Sequence, residues 1–359
     1  MTANQDFRYE SLATRVVFGT GAIGGVAQEV ERLGTNRALV VSSSSSAGAG
    51  GEIEKRLGAR CVARFTATGG HVPLESVQRA RALAAERRAD CVVSIGGGPP
   101  IGLAKAMALE GNLKHLAVPT TYSGSEMTPY YAITSGGGKQ GGRDDRVRPE
   151  TVIYDPGLTF ELSAGATAGT GMNAIAHCVE ALYGPNRNPV SSVLAEEGLR
   201  TLAHSLVECV AAPRDTGART SALCGAHLAG IALAVAGMAL HHRICHVLGG
   251  SFSVSHGDAN ALILPYVVAF NADAEPGEMA RVADAVGSDD AAGGLYRLAR
   301  ALGTPSSLAE VGIKEEDLDA IAEQLVERKP FNPKPVSTGG VRTILQGAYE
   351  GRPPNASNV

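Results

Sequence analysis

The chain reads as an α/β protein with a parallel sheet in its N-terminal part and helices alone after it. Short β-branched runs alternate with amphipathic stretches as far as about residue 155. Several of those runs end in glycines or hydroxyl residues, and beyond Asp155-Pro156 the strand signal fades. At 359 residues the chain is also too long for one ordinary core, so two domains are expected.

RALVVSS (37–43) is a continuous apolar run, as a strand buried on both faces requires, and it stops at SSSSSAGAGG. VARFTAT (62–68) is a second strand, and SVQRARALAAERRA (76–89) a helix with its charges on one face. CVVSIGGG (91–98) runs straight into three glycines, with the helix IGLAKAMALE (101–110) just after them. HLAVPTTYSGSE (115–126) is a further strand ending in a polar loop. Buried strands alternating with helices make a parallel sheet, and such sheets bind ligands at the carboxyl ends of their strands. The remainder reads as successive helices: AGTGMNAIAHCVEALY, NPVSSVLAEEGLRTLAHSLVECV, RTSALCGAHLAGIALAVAGMAL and one carrying His242. The expected limits are 1–156 for the α/β domain and 157–359 for the helical one.

Composition narrows the function. Hydrophobic residues at 44% and charged ones at 19% are ordinary for a folded protein. A net charge of -4 with no basic stripe argues against nucleic acid, and 4% aromatics with no Trp against base-stacking platforms. The six cysteines form no CxxC pair, so zinc knuckles and a disulfide framework are unsupported. MTANQDFRYE has no apolar signal core. The run LAGIALAVAGMAL (228–240) is shorter than the ~20 residues that span a bilayer, so a buried core helix, no membrane partner and a cytoplasmic location are expected.

In SIGGGPPIGLAKA, Gly96, Gly97 and Gly98 let backbone approach a pyrophosphate, and the following helix start offers free N–H groups. This is not the GxGxxG fingerprint, and alone it is as often a tight strand–helix turn. VPTTYSGSEMTP at the next strand end tips the balance toward a nucleotide cleft. There the Thr120 and Thr121 hydroxyls can meet a ribose or carboxamide, and Ser123 and Ser125 flank Gly124.

Asn173 and His177 stand four apart on one helix, and His242 and His246 repeat that spacing on another. His256, in SHGDAN, lies past a Gly-rich break and can close the set from a third direction. A lone histidine is usually structural, as His71, His115, His204 and His227 are taken to be; a group at these spacings points to a site. His241 neighbours the cluster, but its helical phase points elsewhere.

GGGPPIGLAKA, VPTTYSGSEMTP, NAIAHCVEALY and HHRICHVLGGSFSVSHGDAN together resemble the iron-containing (group III) alcohol dehydrogenase superfamily, and within it the maleylacetate reductases. GGRDDRVRPETVIYDPGLT (141–159) and FNPKPVS (331–337) extend the likeness over nearly the whole chain. The resemblance implies a Rossmann-like N-terminal domain and a helical, dehydroquinate synthase-like C-terminal domain in a homodimer. It also implies reduction of the dicarboxylate maleylacetate to 3-oxoadipate, with NADH or NADPH, in aromatic compound degradation. The family's phosphate-binding glycines fall on Gly96, Gly97 and Gly98, and its nicotinamide-side threonines on Thr120 and Thr121. Ser125 belongs to the same loop, and Lys139 lies where a cofactor-side lysine is often found.

In metal-dependent relatives the ligands are an Asp and three His. The histidines match His177, His242 and His256, and His246 matches a further active-site histidine. The Asp position holds Asn173, a neutral and weaker ligand. Three imidazoles can still bind zinc in principle, yet the maleylacetate reductases carry the same Asn, so no metal is expected. Gly102 and Pro99 also depart from the common Asp and Ser. Ser42–Ser46 lacks the Asp that NAD-selective relatives place against the adenosine ribose, so at Ser43 nothing repels a 2′-phosphate.

The chemistry fits that departure. An alcohol dehydrogenase stabilises an alkoxide, which a metal does well. Hydride addition to an enone gives a less basic enolate, which hydrogen-bond donors such as imidazolium can hold. The rival is a metal-dependent alcohol or glycerol dehydrogenase of the same superfamily. A non-catalytic nucleotide-binding protein leaves the histidines unexplained.

Overall fold

The structure, a computed structural model, describes residues 7, 9–10, 13–67, 72–110, 113–135 and 138–354; His71 and the side chain of Lys139 lie outside the described residues. Among these residues it divides into two compact units, one within 13–162 with 214–223, the other of 163–213 and 224–354 together with the described N-terminal residues 7 and 9–10.

In the first unit the elements run β1 (Arg15–Phe18), α1 (Val26–Arg32), β2 (Ala38–Ser43), α2 (Ala47–Leu57), β3 (Cys61–Ala67) and α3 (Leu74–Glu86). They continue as β4 (Cys91–Gly96), α4 (Gly98–Glu110), β5 (Lys114–Pro119), β6 (Tyr130–Ser135), β7 (Gly138–Arg143) and β8 (Thr151–Tyr154). Six strands form a parallel sheet in the order β1-β8-β5-β4-β2-β3, and β6 and β7 pair separately as an antiparallel hairpin. β4 is buried along its whole length because both its faces are covered. Val93 and Ile95 pack toward Val26, Val30 and Ile53 of α1 and α2. Val92 packs on the other side with Val77 of α3 and Leu103 and Met107 of α4. The parallel sheet is thus as expected, with α4 starting earlier than its apolar run because both prolines fit its first turn.

The chain moves outward from β2 to β3 on one side and from β4 to β5 on the other. The switch point therefore lies between β2 and β4, where open parallel sheets bind ligands.

The second unit is helical among the described residues, except that 214–223 at the start of α7 belong to the first. Its helices are α5 (Ala164–Tyr183), α6 (Pro189–Ala211), α7 (Thr216–Ala236), α8 (Leu240–Ser251) and α9 (His256–Asn271). Then follow α10 (Pro276–Ala285), α11 (Ala291–Ala301), α12 (Asp317–Glu327) and α13 (Thr338–Glu350). Local chemistry sets the starts. Ser163 accepts the Ala166 N–H, Asn188 and Ser191 form a capping box before Pro189, and Ser255 accepts the Asp258 N–H. The expected helix over 219–240 breaks at Gly237, whose φ of 82 suits glycine, so Leu240 opens a new helix. Among the described residues α7 alone is long and apolar enough to cross a membrane, and it is mostly buried here.

Candidate active site

The carboxyl ends of β2 and β4 carry the first constellation. Ser46 Oγ donates to the Ile95 carbonyl at 2.9 Å and lies 2.8 Å from Ser43 Oγ, which stitches the serine loop to the strand before the glycines. Gly96 has φ 138, and a Cβ there would stand 2.6 Å from Pro100 Cγ and 2.9 Å from Ser46 Oγ. Only glycine fits both demands. A Cβ on Gly98 would meet nothing within 4 Å, so the start of α4 faces open space. The Thr120 N–H donates to the Gly96 carbonyl at 3.0 Å. Thr121 lies against Gly97, and its Oγ1 is buried without a hydrogen-bond partner.

A helix start with open space over it and an orphan hydroxyl beside it fits a pyrophosphate and its attached sugar. The carbonyl and hydroxyl of Ser125 both face the Lys105 ammonium, with Oγ at 3.3 Å. Lys139 lies in β7. Buried Arg219, in the 214–223 segment, donates to Tyr122 Oη at 2.8 Å and so holds the loop after β5.

The second constellation stands in the helical unit. α5 presents Asn173, His177 and Glu180 on one face, since their spacings of four and three match the helical repeat. α8 starts at Leu240 without a side-chain cap of its own. Glu180 supplies one instead. Its carboxylate accepts the Ala239 N–H at 2.8 Å and the His241 N–H at 2.7 Å, and lies 2.7 Å from His242 Nδ1. An anion at a helix N-terminus is favoured by the free N–H groups and the dipole there. With both oxygens accepting backbone N–H groups, Nδ1–H fills the third bond and His242 Nε2 keeps its lone pair. That Nε2 is buried without a hydrogen-bond partner, as is His177 Nδ1.

The rings stack in sequence. His177 and His242 have centroids 4.8 Å apart and nearly parallel planes, and His246 and His256 do likewise at 6.0 Å. His242 and His256 are 6.5 Å apart. His246 is half-buried and His256 exposed at the first position of α9. His241 points out of the stack, edge-on to His242, and its Nε2 lies 2.8 Å from Asn260 Oδ1. Asn260 in turn donates to the His256 carbonyl at 2.6 Å.

Burial governs the charges. It pushes His177 well below the ordinary imidazole value and His242 to about 3, and the neighbouring imidazoles add to the effect. Glu180 is raised by burial, against the N–H groups it accepts. At both histidines burial therefore favours the neutral imidazole over the imidazolium.

The sequence spacings thus bring Asn173, His177, His242, His246 and His256 onto neighbouring helix faces. Glu180 and Lys105 escaped notice. The signal for Glu180 was present, three residues after His177 and seven after Asn173 on an otherwise apolar helix. Of the histidines set aside, His115 is buried 2.8 Å from Ser94 Oγ, and His204 faces Glu208 on the exposed side of α6.

The donor set does not suit a divalent ion held as in the metal-dependent relatives. Asn173 brings no charge, and among the described residues no group of three or more His, Cys, Asp or Glu is placed to hold one ion.

Comparison with known proteins covers both units. The family model "Iron-containing alcohol dehydrogenase" matches residues 13–156, and "Fe-containing alcohol dehydrogenase family, C-terminal" matches 167–349. Maleylacetate reductase of Burkholderia cepacia is 43% identical over 349 residues, 97% of this chain and 99% of that one. The Sphingobium indicum maleylacetate reductase is 44% identical over 348 residues, again 97% and 99%. The crystal structure of maleylacetate reductase from Agrobacterium tumefaciens superposes with a TM-score of 0.94 at 41% identity, covering 98% of this chain and all of that one. The chain belongs to the iron-containing alcohol dehydrogenase family, on its maleylacetate reductase branch.

Proposed function

We propose that the protein reduces maleylacetate to 3-oxoadipate with NADH or NADPH, without a metal ion, in the breakdown of aromatic compounds. Residues 1–156 serve as the dinucleotide-binding domain and 157–359 as the substrate domain. The observation that carries the reading is Asn173 on the face that also bears the His177–His242 stack. An amide there adds no carboxylate to repel a dianion, and Glu180, on the same helix face, is turned into the start of α8.

Gly96, Gly97 and Gly98 receive the pyrophosphate, Thr120 and Thr121 the nicotinamide end, and Ser43 the adenosine ribose; Ser125 and Lys139 belong to the same side. Held there, a reduced nicotinamide would supply the hydride for the carbon β to the substrate ketone, and the proton for the α carbon would come from an imidazole N–H of this cluster or from an ordered water. His177, His246 and His256 orient the dianion through imidazole N–H groups. His242, held by Glu180, presents Nε2 as an acceptor and so orders a water beside the substrate. A cytoplasmic location and a homodimer accompany the reading, and fractionation and light scattering test them.

A metal-dependent alcohol dehydrogenase remains the rival because the orphaned His177 Nδ1 and His242 Nε2 are atoms a metal would take. One assay separates them: oxidation of NADH and NADPH with maleylacetate, with and without EDTA, beside a metal determination. Substoichiometric metal and an unchanged rate in chelator are expected. Stoichiometric metal with activity lost on chelation hands the site to the rival.

A further inference from the structure

Lys105 stands two turns into α4 from Gly98 and is wholly buried. Its ammonium group donates to the Ser125 carbonyl, to Thr128 Oγ1 at 2.9 Å and to the Tyr130 carbonyl at 3.0 Å. With the Ser125 hydroxyl at 3.3 Å as a fourth, weaker contact, the ammonium is thus surrounded by oxygens of the 125–130 segment. Nearby Glu126, itself buried and bonded by Tyr154 Oη at 2.8 Å, supplies opposite charge. Burial nonetheless lowers the Lys105 pKa to about 7. An apolar side chain would join helix and turn at less desolvation cost. What the ammonium adds is direction, because three bonds fix the turn's place along α4.

That turn follows the Thr120–Gly124 loop, whose other end is also pinned. The Thr120 N–H is bonded to Gly96, and a Cβ on Gly97 would stand 3.0 Å from Thr121 Cγ2. Between the two anchors Thr121 holds its partnerless hydroxyl beside the glycines.

We propose that Lys105 is a positioning residue for the nicotinamide half of the cofactor: by tying the 125–130 turn to α4 it sets where Thr120 and Thr121 stand beside Gly97. This rests on reading the glycine cradle as the reduced dinucleotide site. These Lys105 side-chain bonds all go to the 125–130 segment, whereas the pyrophosphate end at Gly98 lies two turns back along α4 and faces open space.

The test compares two probes on the full chain: NADH, which needs both halves of the site, and ADP, which needs only the adenosine and pyrophosphate half. Lys105→Met should weaken NADH roughly tenfold or more while ADP affinity stays within about twofold, as misplacement of a positioning loop would give. Thr128→Val removes one acceptor at constant shape and should show the same split at about threefold. Unchanged NADH affinity in Lys105→Met, or a parallel loss of NADH and ADP, overturns the proposal. If Lys105→Met does not fold, unchanged NADH affinity in Thr128→Val overturns it instead. A wild-type protein that binds neither probe removes the cradle reading beneath it.

Discussion

At position 173 an amide and a carboxylate differ by one charge, and that charge decides what the adjacent imidazoles hold. Two unit charges about 4 Å apart near a protein surface interact by roughly 4 kcal/mol. Asn173→Asp should therefore raise affinity for zinc or iron and lower kcat/KM for maleylacetate by about tenfold or more. Bound-metal analysis and steady-state kinetics check both. A variant with wild-type turnover and no gain in metal would show that position 173 does not face the substrate. Ser43→Asp addresses the other ligand. Ser43 is half-buried at the end of β2, and a carboxylate there would repel a 2′-phosphate, so the ratio of NADH to NADPH efficiency should rise. An unaltered ratio places the discrimination elsewhere. At this scale the sequence disclosed residues whose spacing repeats, such as Asn173 with His177 and His242 with His246. It concealed Glu180 and Lys105 because a single charge on a helix normally marks a solvated face. Only tertiary packing reveals that both are buried.

Among the elements, α5 and α9 meet at two glycines that let the helices approach closely. A Cβ on Gly257 would stand 2.7 Å from Gly169 Cα, an approach no side-chain rotation relieves. Gly257 follows His256, and Gly169 lies one turn before Asn173, so this crossing sets how near the two site residues come. Gly257→Ala should part the helices, cost about 1–3 kcal/mol and lower turnover even where the protein is folded. Gly165→Ala, one turn earlier on α5 with nothing within 4 Å, should change neither unfavourably. Equal melting temperatures and rates for the two variants would contradict the crossing's role. β2, β4 and β5 were legible as continuous β-branched runs. The four-residue β1 and β8 carry too little pattern to be found alone, and β7, GKQGGR, has no apolar alternation to mark its pairing with β6.

For the whole molecule, the buried histidines dictate the response to acid. His115, His241 and His242 are fully buried and shifted down to about 3, so the folded state takes up protons on them only near that pH. In the unfolded chain they titrate near the ordinary 6.5. Between those values the unfolded state binds more protons, and stability falls as pH drops from about 6.5 toward 3. Each group should remove on the order of 1 kcal/mol or more by pH 5. Urea midpoints should fall from pH 7.5 to pH 5, and equal midpoints would mean these rings accept protons in place. The same cluster has a consequence for how the chain acquires its structure. α8 borrows its starting cap from Glu180, which lies some sixty residues upstream on α5. During synthesis, then, the segment bearing His242 and His246 emerges after its cap but gains a defined beginning only when α5 docks against it. The stacked His177–His242 pair is therefore assembled by the same contact that starts α8.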